Sequence, residues 1–224
     1  MAIEILYRDE TAVAVHKPGG MLVHRTREAV DADEWLLQLV RREVGKRVYP
    51  VHRLDRAASG VILFALSSDD TRRWQEALKS PETAKRYVAV VRGTCPEGWC
   101  MDRPLTSDRG VPREARTSFE RIATFEGLSL VRVRLHTGRR HQIRRHLAHS
   151  AHQIVGDSTY GKGRINRYLR EERGLPRMFL HASSLEVDHP ATGERIRIDC
   201  PLSEDLRRFL AGFDGLDPAV LAKL

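Results

Sequence analysis

Ser118 to Leu135 reads Ser-Phe-Glu-Arg-Ile-Ala-Thr-Phe-Glu-Gly-Leu-Ser-Leu-Val-Arg-Val-Arg-Leu, and the class of fold turns on it. Ser118 to Ala123 and Ser129 to Leu135 read as two strands of one hairpin, and His141 to His149 follows as a short basic helix. The same grammar recurs outward from there. Ile3 to Tyr7 and Thr11 to His16 alternate about Asp9-Glu10, giving a second hairpin that stops at Pro18-Gly19-Gly20. Gly60 to Leu66 and Tyr87 to Val91 are apolar runs of strand length. Ser184 to Val187 and Arg195 to Ile198 flank a turn at His189-Pro190-Ala191-Thr192-Gly193. Three further helices are expected. Asp31 to Val44 places Trp35, Leu36, Leu39 and Val40 on one face with Gly45 as its stop; Ser68-Asp69-Asp70 caps a helix running to Lys79; Leu202 to Phe209 forms the last. Strands outnumber helices and no βαβ alternation appears, so the pattern predicts an α+β fold with a largely antiparallel central sheet, as one domain over residues 1–224.

The chain has 224 residues, a formal charge of +8 and 41% hydrophobic residues, enough to bury a core without metal or disulfide staples. Cys95, Cys100 and Cys200 are odd in number and lack C-x-x-C spacing, which excludes a disulfide framework and a zinc knuckle and implies a reducing, cytoplasmic setting. The longest apolar run, Val61 to Leu66, is far too short to cross a membrane, and the start carries no visible export signal. Of the 38 basic residues 32 are Arg, whose planar donor fork suits phosphates and bases, although GC-rich coding alone gives the same bias.

Three segments concentrate polar chemistry. Val51-His52-Arg53-Leu54-Asp55-Arg56-Ala57-Ala58-Ser59-Gly60 sets one carboxylate between two arginines, on a loop entering the strand Val61 to Leu66. Flanking cations favour the ionised carboxylate, and a buried strand fixes its place; an ordinary turn-forming Asp fits the same residues. Leu135 to His149 is strongly basic. Helical spacing clusters His141, Gln142 and Arg145 opposite an anchoring Ile143 and Leu147, and leaves Arg144 beside the anchored face in need of a partner, for which Asp55 is available. A solvated basic helix fits as well. His141, His146, His149 and His152 also raise a zinc site, against which stand their irregular spacing and the surrounding arginines. In Lys85-Arg86-Tyr87 two cations precede a Tyr opening an apolar strand, placed either to stack on a base or to fill the core.

In this order the segments resemble the RNA pseudouridine synthases that carry an HRLD motif. The resemblance rests on His52-Arg53-Leu54-Asp55 with Ser59-Gly60, on Lys85-Arg86-Tyr87 with Val91-Arg92-Gly93, and on Thr137-Gly138-Arg139 with His141-Gln142-Ile143-Arg144. It continues through Ile154-Val155-Gly156-Asp157, Leu180-His181-Ala182 and His189-Pro190 with Thr192-Gly193-Glu194, so it spans essentially the whole chain. A narrower likeness, to the tRNA-modifying branch, rests on Met21 to Arg25, Arg145 to His149, and Gly156-Asp157-Ser158 through Asn166 to Ser183. Two departures stand out: Ala58 where the family usually has Thr, and Ala151-His152-Gln153 where it usually has Gly-His-Pro.

The resemblance implies isomerisation of a uridine in RNA without any cofactor or metal, most simply in tRNA where the T stem meets the acceptor stem, with ribosomal RNA as the alternative substrate. It implies catalytic roles for Asp55, as nucleophile or base, for Tyr87 against the flipped base, and for Arg144 as the partner of Asp55. His52, Arg53, Arg56, Arg86, Arg139, Arg140, His141, Gln142 and Arg145 are the expected RNA contacts, Arg53 filling the gap in the stack. No S4-like RNA-binding extension is expected, and the protein is expected to act as a monomer away from membranes. A noncatalytic RNA-binding protein and a metal-dependent RNA hydrolase are the rival readings.

Overall fold

The computed structural model describes residues 3–24, 34–222 and 224. These hold twelve strands and six helices, and every pairing with an assigned register is antiparallel, so the α+β expectation holds. The chain divides into two compact units, Met1–Ala84 with Ser184–Cys200, and Lys85–Ser183 with Pro201–Leu224.

In the first unit the expected hairpin is β1 (Ile5–Arg8) with β2 (Ala12–Lys17), and β2 pairs along its other edge with β4 (Ser59–Ala65), which also carries the short β3 (Tyr49–Pro50). All seven residues of β4 are buried, which explains why its sequence is a continuous apolar run and not an alternation. Helix α1 (Leu36–Val44) buries Leu36, Leu39, Val40 and Val44 and ends on Gly45 in the left-handed region, φ 74°. Its expected onset at residues 31–33 lies outside the described residues, as does Arg25. Helix α2 (Ser68–Ala77) is capped one residue earlier than the sequence suggests: Ser67 Oγ accepts from the Asp70 N–H.

Two turns read separately in the sequence meet in this unit. Asp9 Oδ1 accepts from the N–H groups of Thr11 and Ala12 at 2.6 and 2.7 Å, while its other oxygen faces His189 Nε2 at 3.1 Å. His189 Nδ1 accepts from the N–H groups of Ala191 and Thr192, so Nε2 carries the proton and donates to Asp9. The Tyr7 hydroxyl also donates to Asp9, and the Trp74 indole stands edge-on to His189 while donating to Thr11. Burial, then Asp9 itself, pushes the Tyr7 phenol far up; burial would raise Asp9, but the donors around it hold its carboxyl below 3.8.

In the second unit β5 (Ala84–Arg92) pairs with β10 (Leu128–Leu135), β10 with β9 (Arg116–Phe125), and β9 with β6 (Gly98–Asp102). The hairpin β9–β10 is longer than its sequence alternation and turns on Glu126-Gly127, both at positive φ, with a bulge between Leu130 and Val131. Between Arg103 and Arg116 lies a small hairpin, β7 (Leu105–Thr106) with β8 (Pro112–Arg113). Helix α3 (Gln142–His149) matches the basic segment, α4 (Gly163–Glu172) was not expected, and α5 (Glu204–Ala211) and α6 (Pro218–Leu221) close the unit. Strand β11 (Leu180–Asp188) runs from the second unit into the first, where it pairs with β12 (Arg195–Asp199).

The core of the second unit gathers Val88, Val90, Leu130, Val155, Phe179, Phe209 and Phe213, and Val220, Leu221 and Leu224 pack against it. The C-terminal segment therefore docks; the Leu202 N–H donates to the Leu224 carbonyl at 2.9 Å.

Ala151 follows α3 at φ 61°, a conformation that suits glycine, at the position where the resembled family usually has Gly. Ala151→Gly relieves that strain at a smaller cost in unfolded-chain entropy. It is expected to stabilise the protein by roughly 0.5–1 kcal/mol in urea titration, with unchanged m.

Candidate active site

The Asp55 loop belongs to the first unit and is fastened at both ends. The Val51 N–H donates to the Leu63 carbonyl, and the Leu63 N–H donates to His52 Nε2 at 3.1 Å, so the loop is stitched to β4. The Ala58 N–H donates to the Asp55 carbonyl at 3.1 Å, closing a turn that holds Asp55 half-buried between exposed Arg53 and Arg56. Lys17, fully buried, donates from Nζ to the carbonyls of Pro18, Met21 and Arg56 at 2.8, 2.8 and 3.1 Å. Arg56 Nε donates to the Gly20 carbonyl, and the Gly20 N–H to the Arg56 carbonyl. These bonds weld the loop to the Pro18–Met21 turn, beside an open cleft of ≈ 370 Å³ lined by that turn, Leu22, Glu34 and Arg56. Nothing in the sequence pattern singled out Lys17, since a lone Lys before Pro-Gly-Gly reads as a surface charge.

Tyr87 and Arg144 belong to the second unit. Tyr87 is buried on β5 opposite Val133, and Lys85, half-buried two residues earlier, has its ammonium pushed down by burial. Arg144 is 7% exposed and Asp157 2%. Arg144 Nε donates to Asp157 Oδ2 at 2.7 Å and an Nη to Oδ1 at 2.9 Å, a bidentate pair, and the guanidinium carbon lies 5.1 Å from the Tyr160 ring centre. Burial would raise the Asp157 carboxyl. Arg144 and the N–H groups of Tyr160 and Thr159 outweigh it and hold the group below 3.8. The buried Arg144 thus has an acidic partner in Asp157; Asp55 belongs to a loop of the first unit.

The turn carrying Asp157 is itself built tightly. Asn166 Oδ1 accepts from the Gly156 N–H at 2.8 Å and its Nδ2 donates to the Asp157 carbonyl at 2.9 Å. A Cβ on Gly156, at φ 77°, would sit 2.4 Å from the Arg177 carbonyl oxygen, and one on Gly161 2.1 Å from that of Asp157. Gly156-Asp157 and Asn166 belong to the family likeness, which assigns them no role; the chain reversal that brings them to Arg144 has no periodic signature.

Gln142 is buried, and its carboxamide organises the basic turn. Its Oε1 accepts from Thr137 Oγ1 and the Arg139 N–H, and its Nε2 donates to the Arg116 carbonyl and Thr117 Oγ1. Thr117 Oγ1 donates onward to His146 Nδ1 at 3.0 Å, leaving His146 Nε2–H for the Arg103 carbonyl. The chain of donors fixes a neutral imidazole, and burial pushes His146 below its ordinary 6.5. Thr117→Val orphans both neighbours and is expected to cost about 2 kcal/mol by denaturant unfolding. Because His146 binds its proton more weakly folded than unfolded, its contribution is complete above pH 6.5 and diminishes as pH falls below that value. Arg139 and Arg140 are exposed, with Arg139 Nε donating to the Glu114 carbonyl and Arg140 paired with Asp108; exposed donors of half-buried Arg145 reach the Thr106 carbonyl. His141 caps α3 in the left-handed region, its Nδ1 3.2 Å from the Tyr160 hydroxyl, and Arg86 is half-buried on β5. Among the described residues no three His, Cys, Asp or Glu are grouped to hold a metal. No helix among them is long and apolar enough to cross a membrane.

The sequence model for RNA pseudouridylate synthase matches residues 11–149, which include the HRLD loop, Tyr87 and Arg144. The chain belongs to the RNA pseudouridylate synthase family. This synthase, an isomerase by family, is 38% identical over 241 residues to a protein named tRNA pseudouridine synthase C from Yersinia pestis, covering 96% of this chain and 93% of that one. Its counterpart from Haemophilus influenzae is 38% identical over 233 residues, covering 94% and 98%. The fold of the synthase matches the solved structure titled Human RNA Pseudouridylate Synthase Domain Containing 4, with a TM-score of 0.76, 23% identity, and 93% and 92% of the two chains covered.

Proposed function

We propose that this synthase isomerises a uridine of tRNA to pseudouridine at the junction of the T stem and the acceptor stem, acting as a cytoplasmic monomer. The observation that supports tRNA is the end-to-end likeness to enzymes named for it, at 38% identity. In the reaction the C1′–N1 bond breaks, the uracil turns, C5 bonds to C1′, and the C5 proton leaves while N1 gains one. The net change is an isomerisation, so no external oxidant or cofactor enters the balance.

In this reading the flipped base is kept from water against Tyr87, and Asp55 supplies the carboxylate, as nucleophile at C1′ or as base toward a ribose proton. Arg144, aimed by Asp157, supplies the cation. Gln142 contributes by holding the Thr137–Arg139 turn, and exposed Arg53, Arg56, Arg139 and Arg140 meet the RNA. The test is release of tritium from tRNA labelled at uridine C5, with chelator present, followed by mapping of the modified position. Release at that junction supports the proposal; release only from ribosomal RNA moves the substrate, and RNA binding without release from either makes the protein a noncatalytic binder.

A further inference from the structure

Helix α4 combines features that its own stability does not explain. No side chain caps its N-terminus and no acid sits in its first turn, where the helix dipole favours one; Arg164 is there instead. Arg164, Arg167 and Arg170 follow at three-residue spacing, a repulsive arrangement on a helix surface. All three are exposed, and among the described residues no carboxylate pairs with them, whereas Arg132, Arg195, Arg197 and Arg208 are each matched to an acid. Beside them Tyr168 is 50% exposed, the one exposed aromatic residue among those described. The Arg173 guanidinium lies next to Glu126 and the Tyr168 hydroxyl. Glu171 and Glu172 are confined to the last turn.

The inner face of the same helix is tied to the site. Asn166 and Leu169 are its buried residues, and Asn166 bridges Gly156 and Asp157, the residue that clamps Arg144. Whatever binds the outer face is therefore held in fixed register with Arg144 through Asn166 and Asp157.

We propose that the outer face of α4 docks the RNA substrate, with Arg164 and Arg167 on backbone phosphates and Tyr168 stacked on an unpaired base. This rests on the synthase reading for the identity of the RNA. A string of unmatched guanidiniums with one exposed ring complements a polyanion that also offers π-faces.

The test uses the full chain and unmodified tRNA, comparing wild type with R164A/R167A, R164K/R167K, Y168A and, as a control on α5, R208A. Filter binding over a salt series gives Kd and its salt slope, and single-turnover assays at saturating RNA give the chemical rate. The Ala pair is expected to weaken binding about tenfold and to flatten the log–log salt slope by about 2, with the saturated rate retained. The Lys pair should keep most of the slope. Y168A should weaken binding about tenfold with the slope unchanged. Wild-type Kd and slope in the Ala pair, with an unaltered Tm, would overturn the proposal; should that pair melt early, R164Q/R167Q takes its place under the same criterion. Wild type that binds tRNA without forming pseudouridine would sink the catalytic reading alone, since the binding arm still reports on α4.

Discussion

Asp55→Asn is expected to lower pseudouridine formation by on the order of 10⁴-fold while the Kd for tRNA changes by less than about threefold. The substitution is nearly isosteric, and the loop around it is held by groups that do not involve the carboxylate. The Ala58 N–H reaches the Asp55 backbone carbonyl, His52 accepts from β4, and Lys17 grips Arg56 and the Pro18–Met21 turn through carbonyls. These bonds should survive the change, and the loss should fall on turnover. Tritium release under single-turnover conditions reads the rate, and filter binding reads the affinity. Turnover within tenfold of wild type would remove Asp55 from the chemistry.

Asp157→Asn is expected to have the largest effect on stability of any single polar change in the second unit, about 3–5 kcal/mol. It removes the carboxylate that meets the buried Arg144 guanidinium, and an amide cannot accept the two-pronged donation at 2.7 and 2.9 Å. For a chain of this size the loss corresponds to a drop in Tm of about 10 °C. Turnover should fall too, because Arg144 loses its aim. The double variant Arg144→Met/Asp157→Leu separates the two consequences: it is expected to recover part of the stability, since the Thr159 and Tyr160 N–H groups still lose their acceptor, and none of the activity. Recovery of both would make the pair a packing device only. The wild-type pair also fixes a pH signature. Since the folded protein holds the Asp157 carboxyl below 3.8, its contribution is fully present above that pH and is lost as pH falls further.

The sequence made the strands legible wherever burial was one-sided or complete. The alternation of Ser129 to Leu135 and the apolar run of β4 each reported a definite environment, and both appear where expected. Helix α4 was missed because its apolar residues are few, its first turn lacks acids and no side chain caps it, so the usual signals are absent. The candidate site was legible as residue types and motifs, and Arg144 as a buried cation in need of a partner. That Asp157 meets it was not, because the turn from Ile154 to Gly161 is shaped by Asn166 and by carbonyl approaches that leave no periodic trace. Gln142 shows the opposite error: a polar residue in a basic segment reads as a surface contact, yet four hydrogen bonds make it an internal brace.

The bond between Asp9 and His189 joins residues 180 positions apart, and both units draw on chain beyond Ser183. During synthesis the ribosome must therefore deliver nearly the whole polypeptide before either unit can close. Until then β4, all of whose residues are buried in the finished fold, waits without the late segments of its own unit, a nascent chain that invites association through its open edge.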